Sequence, residues 1–231
     1  MDIKDFIKKE LSGWGKYERI IFPSILLFII MLSFIMHDNK VALVSAICGI
    51  GYTILAGKGK ISCYIVGLMG TFCYSYISFK NAFWGNLALY MFYCMPMQFI
   101  GIFKWKSHLK KDTNEIYKTK LTAKERIIYI SAVILTVILL YFILKIMNDA
   151  NPIIDAITSI GSILGLLLTV KRCIEQWYVW AVVNFLSAIM WVGAYINGSN
   201  CLATVLMWLT YLFVGIYFLY QWKKEQKTAK I

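Results

Sequence analysis

Long apolar runs separated by short charged clusters dominate this sequence. Of its 231 residues, 60% are hydrophobic and 16% are charged, whereas a soluble domain of this size carries roughly 25% charge. A lipid bilayer requires such a separation, because an ionised side chain in the hydrocarbon core is unfavourable by several kcal/mol. The pattern therefore predicts an all-α integral membrane protein.

Eight apolar runs approach the ~20 residues that a helix needs to cross a bilayer. A charged segment, residues 1–19, precedes them and is predicted to form an amphipathic helix on the membrane surface. It lacks a small-residue cleavage motif, so a cleavable signal peptide is not expected. The predicted spans are residues 20–36, 41–56, 61–79, 86–103, 127–146, 152–170, 177–195 and 201–220.

Basic residues alternate between the predicted loops. They cluster before span one, after spans two, four and six, and in the tail, whereas the other loops hold little beyond Lys40 and Lys80. Because cytoplasmic loops carry the excess of Lys and Arg, both termini are predicted to be cytoplasmic and the span count to be even. The net charge of +12 then reflects topology in a multi-pass plasma-membrane protein, and no nucleic-acid partner is expected.

Two triplets of spans resemble each other. Residues 45–51 and 155–161 share their Ala and Ile-Gly positions at an offset of 110. Three spans is an odd number, so one linker span between the triplets gives a parallel 3+1+3 repeat, a transporter design with the substrate at the repeat interface. The predicted parts are the N-terminal helix and extra span 1–40, the first triplet 41–103, the basic loop 104–126, the linker span 127–151, the second triplet 152–222 and the tail 223–231.

Span seven carries the most informative constellation. At 100° per residue, Trp177, Trp180, Asn184, Ser187 and Trp191 fall within a sector about 60° wide. Indoles beside one amide suit a flat heterocyclic ligand, with Ser187 and Trp191 as further pocket lining. Two structural alternatives stay open: Trp177 as an interfacial belt residue, and Asn184 as a contact between helices.

Span four offers a second candidate face. Gln98 is predicted to point toward a surface opened by Gly101, either as a ligand contact or as a contact between helices. Pro96 frees a backbone carbonyl nearby. The other candidates for pocket lining on spans three and four are Gly70, Tyr93 and Cys94.

Groups that carry catalysis are missing from the predicted spans. No Asp, Glu, Lys, Arg or His lies at mid-membrane, the six cysteines form no CxxC pair, and His37 and His108 fall in loops. A phosphorylated solute would need Arg or Lys, and proton coupling usually needs a buried carboxylate or His. The sequence thus predicts a small-solute carrier without metal or cofactor, and no enzyme.

Two segments resemble the PnuC family of vitamin transporters. Residues 171–184 contain its WxxWxxxN motif as Trp177, Trp180 and Asn184, and span four resembles its other signature with Gln98, Gly101 and Trp105 after Trp84-Gly85-Asn86; the resemblance covers residues 41–222. It implies a SWEET-like fold, often a homo-trimer, that imports nicotinamide riboside by facilitated diffusion. A cytoplasmic kinase would then trap the substrate for NAD synthesis. The substrate contacts would fall on Trp177, Trp180, Asn184 and Gln98.

The chemistry of nicotinamide riboside suits these residues. Its pyridinium is a flat cation that indole faces attract by ~0.5–2 kcal/mol, and its carboxamide and hydroxyls need amide partners. Thiamine is also a flat cation, so a thiamine or riboflavin carrier of the same fold stays an alternative. From another class, a non-transporting membrane receptor or assembly protein would use the indole stripe as a subunit interface.

Overall fold

The chain divides into two compact units, Met1–Tyr117 and Lys118–Ile231, and each is described by itself. The computed structural model describes residues 9–10, 12–35, 40–80, 84–110, 115–148, 151–198 and 202–228. The boundary between the units lies inside the predicted basic loop 104–126, so that loop contributes a segment to each unit.

The first unit is a bundle of α-helices in which α2 packs against α3, and α3 packs against α5. A π-helical turn, Tyr90–Cys94, joins α4 to α5 just before Pro96. Because proline has no backbone N–H, Pro96 cannot donate the usual hydrogen bond to the carbonyl four residues earlier, and the wider turn lies where that bond is missing. The helices are α1 (Glu18–Ile35), α2 (Lys40–Gly57), α3 (Ser62–Lys80), α4 (Trp84–Leu89) and α5 (Met95–Lys106).

The second unit is a row of four helices, each packed against the next in sequence. Its first helix begins with a capping box: the Thr122 hydroxyl accepts from the Glu125 N–H, and the Glu125 carboxylate accepts from the Thr122 N–H. The helices are α6 (Ala123–Ile146), α7 (Pro152–Val170), α8 (Gln176–Ile196) and α9 (Leu202–Thr228).

The all-α membrane fold is confirmed, and each predicted span coincides with helix over nearly all of its described residues. Seven described helical stretches are long and apolar enough to cross a membrane, and the shorter apolar helix Leu43–Gly57 lies within α2. The fourth predicted span comprises α4, the π-helical turn and α5. Helix α6, the predicted linker span, has a mean hydropathy of 2.8 and no buried residue, as a lipid-facing helix requires.

Of the predicted amphipathic helix over residues 1–19, residues 1–8 and 11 lie outside the described residues. Where the chain is described, residues 9–10 and 18–19 are helical, and the prediction is wrong for residues 12–17, which are not. The physical reason is Gly13, whose φ of 77° lies in the left-handed region that ends a helix.

Two turns have the same backbone hydrogen bonds 113 residues apart. The Lys60 N–H donates to the Leu55 carbonyl in the turn between α2 and α3, and the Cys173 N–H donates to the Leu168 carbonyl between α7 and α8. Gly59 and Arg172 occupy matching places, with φ of 69° and 63°. The two turns therefore correspond at an offset of 113 residues, not at the predicted 110. The offset of 110 was suggested by matching Ala, Ile and Gly residues, which are common in apolar helices. The parallel 3+1+3 arrangement stays a prediction.

Candidate substrate-binding site

Helix α8 turns its predicted stripe toward the interior of the second unit. Trp177, Asn184 and Ser187 are buried, and Trp180 and Trp191 are partly buried. The opposite face of the helix is exposed and apolar, through Tyr178, Val182, Phe185 and Ile189. The sequence-based grouping of the five residues on one inward face is therefore correct, while their contact with a substrate stays a prediction.

Trp177 is held by two aromatic residues of α9. Its ring stacks on Phe218 with 5.7 Å between centroids and meets Trp222 edge-on, also at 5.7 Å. Only 2% of Trp177 is exposed, and its indole Nε1 is buried without a hydrogen-bond acceptor among the described residues. A buried donor of this kind needs a partner, which a bound solute or water can supply.

Trp180 is fixed on helix α7. Its Nε1 donates to the Thr169 hydroxyl at 3.3 Å, and that hydroxyl donates to the Gly165 carbonyl at 2.8 Å. The ring lies so close to Gly165 that a Cβ there would come within 2.8 Å of the Trp180 Cε2 atom. The orientation of the indole is thus set by the absence of a side chain on α7.

Asn184 lies beside Gly215 of α9, where an added Cβ would be 3.8 Å from its amide nitrogen. Only 5% of Asn184 is exposed, and its amide makes no hydrogen bond to another residue that the structure describes in this unit. Both the donor and the acceptor of the amide are therefore available to a ligand. This observation disfavours the alternative of Asn184 as a polar contact between α8 and another helix of the unit.

Two glycines of α7 were not identified as site residues from the sequence. Gly161 and Gly165 face Val183 and Trp180 at distances that exclude a side chain, since a Cβ at Gly161 would be 2.6 Å from Val183 Cγ2. Their spacing, Gly-x-x-x-Gly, is the known signature of close helix contact in membranes. That spacing was readable in the sequence and could have located the α7–α8 contact.

In the first unit, Gln98 lies against α3. Its Nε2 donates to the Thr71 hydroxyl at 2.5 Å, and its Oε1 is buried without a donor among the described residues. The prediction that Gly101 opens the surface for Gln98 is wrong, because the Tyr64 ring occupies the space beside Gly101. Its nearest atoms are 2.3 Å from where a Cβ of residue 101 would lie. Gly67 makes the space instead: a Cβ there would be 2.6 Å from the Gln98 Oε1 atom.

Helix α3 buries a row of hydroxyls that sequence reasoning missed. Thr71, Ser75 and Ser78 are at most 5% exposed, and their i, i+4, i+7 spacing places them on one face. The Ser75 and Ser78 oxygens have no hydrogen-bond partner in the described part of the chain. Thr71 connects this row to Gln98 through its hydrogen bond. The spacing of the three residues was the signal that could have identified the row.

The remaining candidates for pocket lining differ in their surroundings. Gly70 packs against α2, where a Cβ would lie 3.0 Å from the Cys48 Cβ, so it serves the contact between α2 and α3. Tyr93 and Cys94 are partly buried in the π-helical turn. Such turns occur frequently at functional sites.

The one buried lysine among the described residues has partners of its own. Lys60 is fully buried between α2 and α3; its Nζ donates to the Lys9 carbonyl at 2.8 Å and lies 3.8 Å from a Glu115 carboxylate oxygen. Burial lowers the pKa of Lys60, and the nearby Glu115 and Glu10 carboxylates oppose that shift. This cation therefore belongs to the packing at the end of the first unit.

Apolar helices long enough to cross a membrane, with indoles, amides and hydroxyls on their inward faces, are typical of a multi-span membrane protein that binds a small solute. Among the described residues, no group of three or more His, Cys, Asp or Glu side chains could hold a metal ion. A family model described as nicotinamide mononucleotide transporter matches residues 39–224. The chain therefore belongs to this family of membrane transporters, so it is not an enzyme, and the receptor alternative is set aside.

Two curated relatives and one solved structure agree with this assignment. The nicotinamide riboside transporter PnuC of Neisseria mucosa is 31% identical over 227 residues, which cover 95% of this chain and 86% of that protein. The protein of the same name from Haemophilus influenzae is 28% identical, with 96% of each chain covered. The crystal structure of a vitamin B3 transporter PnuC matches with a TM-score of 0.82 and 29% identity over 97% of each chain.

Proposed function

We propose that this protein imports nicotinamide riboside by facilitated diffusion. The observation that carries the proposal is the inward face of α8, where the partly buried Trp180 indole lies on the same face as the Asn184 amide and the unpartnered Trp177 Nε1. An indole face attracts a pyridinium cation, and an amide can pair with the carboxamide or with ribose hydroxyls. The names of both curated relatives support the same substrate.

The riboside fits these faces better than the mononucleotide that the family model carries in its name. A phosphate group needs Arg or Lys, and the buried polar residues of α3, α5 and α8 are hydroxyls and amides. Lys60, the buried cation among the described residues, is held by the Lys9 carbonyl and lies near Glu115. The proposed substrate is therefore the unphosphorylated nucleoside.

Gln98 is the second amide that we assign to the substrate. It is anchored on Thr71 through its Nε2, so its Oε1 has a fixed position and lacks a donor among the described residues. A carboxamide N–H or a ribose hydroxyl is the donor that this oxygen needs. Among the lining candidates, Ser187 and Trp191 share the α8 face, and Tyr93 and Cys94 are in the π-helical turn that precedes Gln98.

The proposed mechanism is uniport. Helices α3, α5 and α8 contain no Asp, Glu or His, so the polar faces offer no side chain of the kind that couples transport to protons. Such a carrier only equilibrates its substrate, and net import needs phosphorylation inside the cell. The loop charges predict that both termini are cytoplasmic, so a kinase that phosphorylates the substrate would face the basic loop and the tail.

We also propose that the protein forms a homo-trimer, which native mass spectrometry can measure.

Ligand-induced thermal stabilisation of the purified protein tests the substrate. A ligand at 100 times its dissociation constant should add about 2.7 kcal/mol to the free energy of unfolding. We expect this shift with nicotinamide riboside, a much smaller one with its mononucleotide, and its loss in the Asn184→Ala variant. A shift with thiamine or riboflavin instead would overturn the substrate, and equal shifts in the variant would remove Asn184 from the site.

A further inference from the structure

A concave cavity lies at one end of the second unit, where α6 and α8 begin and α9 ends. Its volume is about 640 Å³. It is separate from the inward face of α8, because it opens beside Tyr178, on the opposite side of that helix. The cavity is lined by Lys120, Arg126, Ile174, Glu175, Tyr178, Lys223, Gln226 and Lys227.

The lining carries an excess of positive charge. Its single carboxylate, Glu175, is already used: one oxygen accepts from the Arg126 guanidinium at 2.7 and 3.1 Å, and the other accepts from the Leu121 N–H at 3.2 Å. Lys120, Lys223 and Lys227 have no ion pair with a carboxylate in the described part of the chain. Three uncompensated ammonium groups around one concavity favour an anionic ligand.

Two neutral side chains of the cavity, Tyr178 and Gln226, indicate further properties of that ligand. The ring of Tyr178 holds Lys223 in place, because the Lys223 Nζ atom lies 4.8 Å from the ring centroid. The Gln226 Oε1 atom is buried and has no hydrogen-bond donor among the described residues. A ligand that brings a hydroxyl donor together with its negative charge would satisfy this oxygen.

The cavity continues into an exposed apolar stripe along α8. Tyr178, Val182, Phe185 and Ile189 are between 46% and 54% exposed, and their spacing places them on one face. A half-exposed Tyr at the end of a membrane helix is typical of the boundary between headgroups and hydrocarbon. A ligand bound in the cavity would thus have charged groups at its head and hydrocarbon directly below.

We propose that this cavity binds the headgroup of an anionic phospholipid that carries hydroxyl groups, such as phosphatidylglycerol. The phosphate contacts Lys120, Lys223 and Lys227, a headgroup hydroxyl donates to Gln226, and an acyl chain lies along the stripe below Tyr178. Basic pockets between membrane helices are known to hold anionic headgroups. The bound lipid holds the ends of α6, α8 and α9 together and stabilises the second unit, whatever solute the protein carries.

The test measures lipid binding to the full-length protein by native mass spectrometry, with melting temperature as the second readout. Phosphatidylglycerol is titrated against phosphatidylcholine with the same acyl chains, and against glycerol 3-phosphate in lipid-free detergent. The variant is Lys223→Gln with Lys227→Gln. The control is Lys104→Gln with Lys106→Gln, two exposed lysines at the end of α5 that do not line the cavity.

We expect phosphatidylglycerol to bind more tightly than phosphatidylcholine and to raise the melting temperature of the wild type. Each lysine should contribute about fivefold, so the cavity variant should bind about 25-fold more weakly, while the control variant should bind as the wild type does. Equal binding of both lipids, equal losses in both variants, or full stabilisation by glycerol 3-phosphate alone would each overturn the proposal. If the double variant does not fold, Lys120→Gln, in the loop before α6, must show the fivefold loss.

Discussion

The indole of Trp180 on α8 lies directly over Gly165 on α7. The first unit has a similar contact, but there the aromatic ring is on the first helix of the pair, α2, and the glycine is on the second, α3. There Tyr52 lies over Gly67, with its Cδ2 atom 2.7 Å from where a Cβ would be. Tyr52 precedes Gly165 by 113 residues, and Gly67 precedes Trp180 by the same number. Each unit therefore places one aromatic ring on one glycine between neighbouring helices, but on opposite helices of the pair.

The first prediction concerns Gly165→Ala. The new methyl group would lie 2.8 Å from Trp180 Cε2 and must displace the indole. Overpacking of this kind destabilises by about 1–3 kcal/mol, and the displaced ring should weaken nicotinamide riboside binding by about tenfold or more. Calorimetry of the purified variant measures both effects.

Gly193→Ala is the matched control, because a Cβ at Gly193 has no described atom within 4 Å. Alanine is the better helix former, so this variant should be as stable as the wild type or slightly more stable. Unchanged affinity in Gly165→Ala would show that the position of Trp180 has no influence on the substrate.

The second prediction separates packing from hydrogen bonding at Trp177. Trp177→Ala removes the ring between Phe218 and Trp222 and should lower the free energy of unfolding by about 3–5 kcal/mol. Trp177→Phe keeps an aromatic ring there, removes the Nε1 donor and loses less packing than Trp177→Ala does. We expect it to fold normally and to bind the substrate about fivefold more weakly, the value of one hydrogen bond.

The control is Trp105→Phe in the first unit. Trp105 is also fully buried and meets Tyr64 edge-on at 4.9 Å, so the loss of packing is comparable. Ligand titrations on both variants compare the two sites. If Trp177→Phe and Trp105→Phe bind equally well, Trp177 has a packing role only.

The third prediction tests the Gln98–Thr71 hydrogen bond with a double-mutant cycle. Thr71→Val leaves the Gln98 Nε2 donor buried and unpaired, which should destabilise by about 1–3 kcal/mol. In Gln98→Leu the amide is absent, so adding Thr71→Val should be less harmful, with a coupling of about 1 kcal/mol. Thermal unfolding of the four proteins gives the coupling. In the control cycle, Ser33→Ala on α1 replaces Thr71→Val. Ser33 is buried but makes no hydrogen bond to Gln98, so its effect on the free energy of unfolding should add to that of Gln98→Leu without coupling.

The spans were predictable because hydrophobicity over twenty residues is a strong and local signal. The inward orientation of Trp177 and Asn184 was predictable too, since helical periodicity alone places both on one face. The partner of Gln98 could not be predicted, because Gly67 and Gly101 both lack a side chain and each leaves room for a neighbour. Only the packing of α3 on α5 decides that the amide lies beside Gly67. The Trp180–Gly165 contact equally depends on how two helices meet, although the Gly-x-x-x-Gly spacing on α7 indicated where.

Uptake of labelled nicotinamide riboside into sealed vesicles, with no kinase present, tests the central claim most directly. We expect the solute to reach the outside concentration and not to exceed it, and Asn184→Leu to slow the entry by about tenfold or more, since the amide and its hydrogen bonds are lost. Accumulation well above the outside concentration would contradict uniport. Entry at the wild-type rate in Asn184→Leu would contradict the assignment of the α8 face as the substrate-binding site.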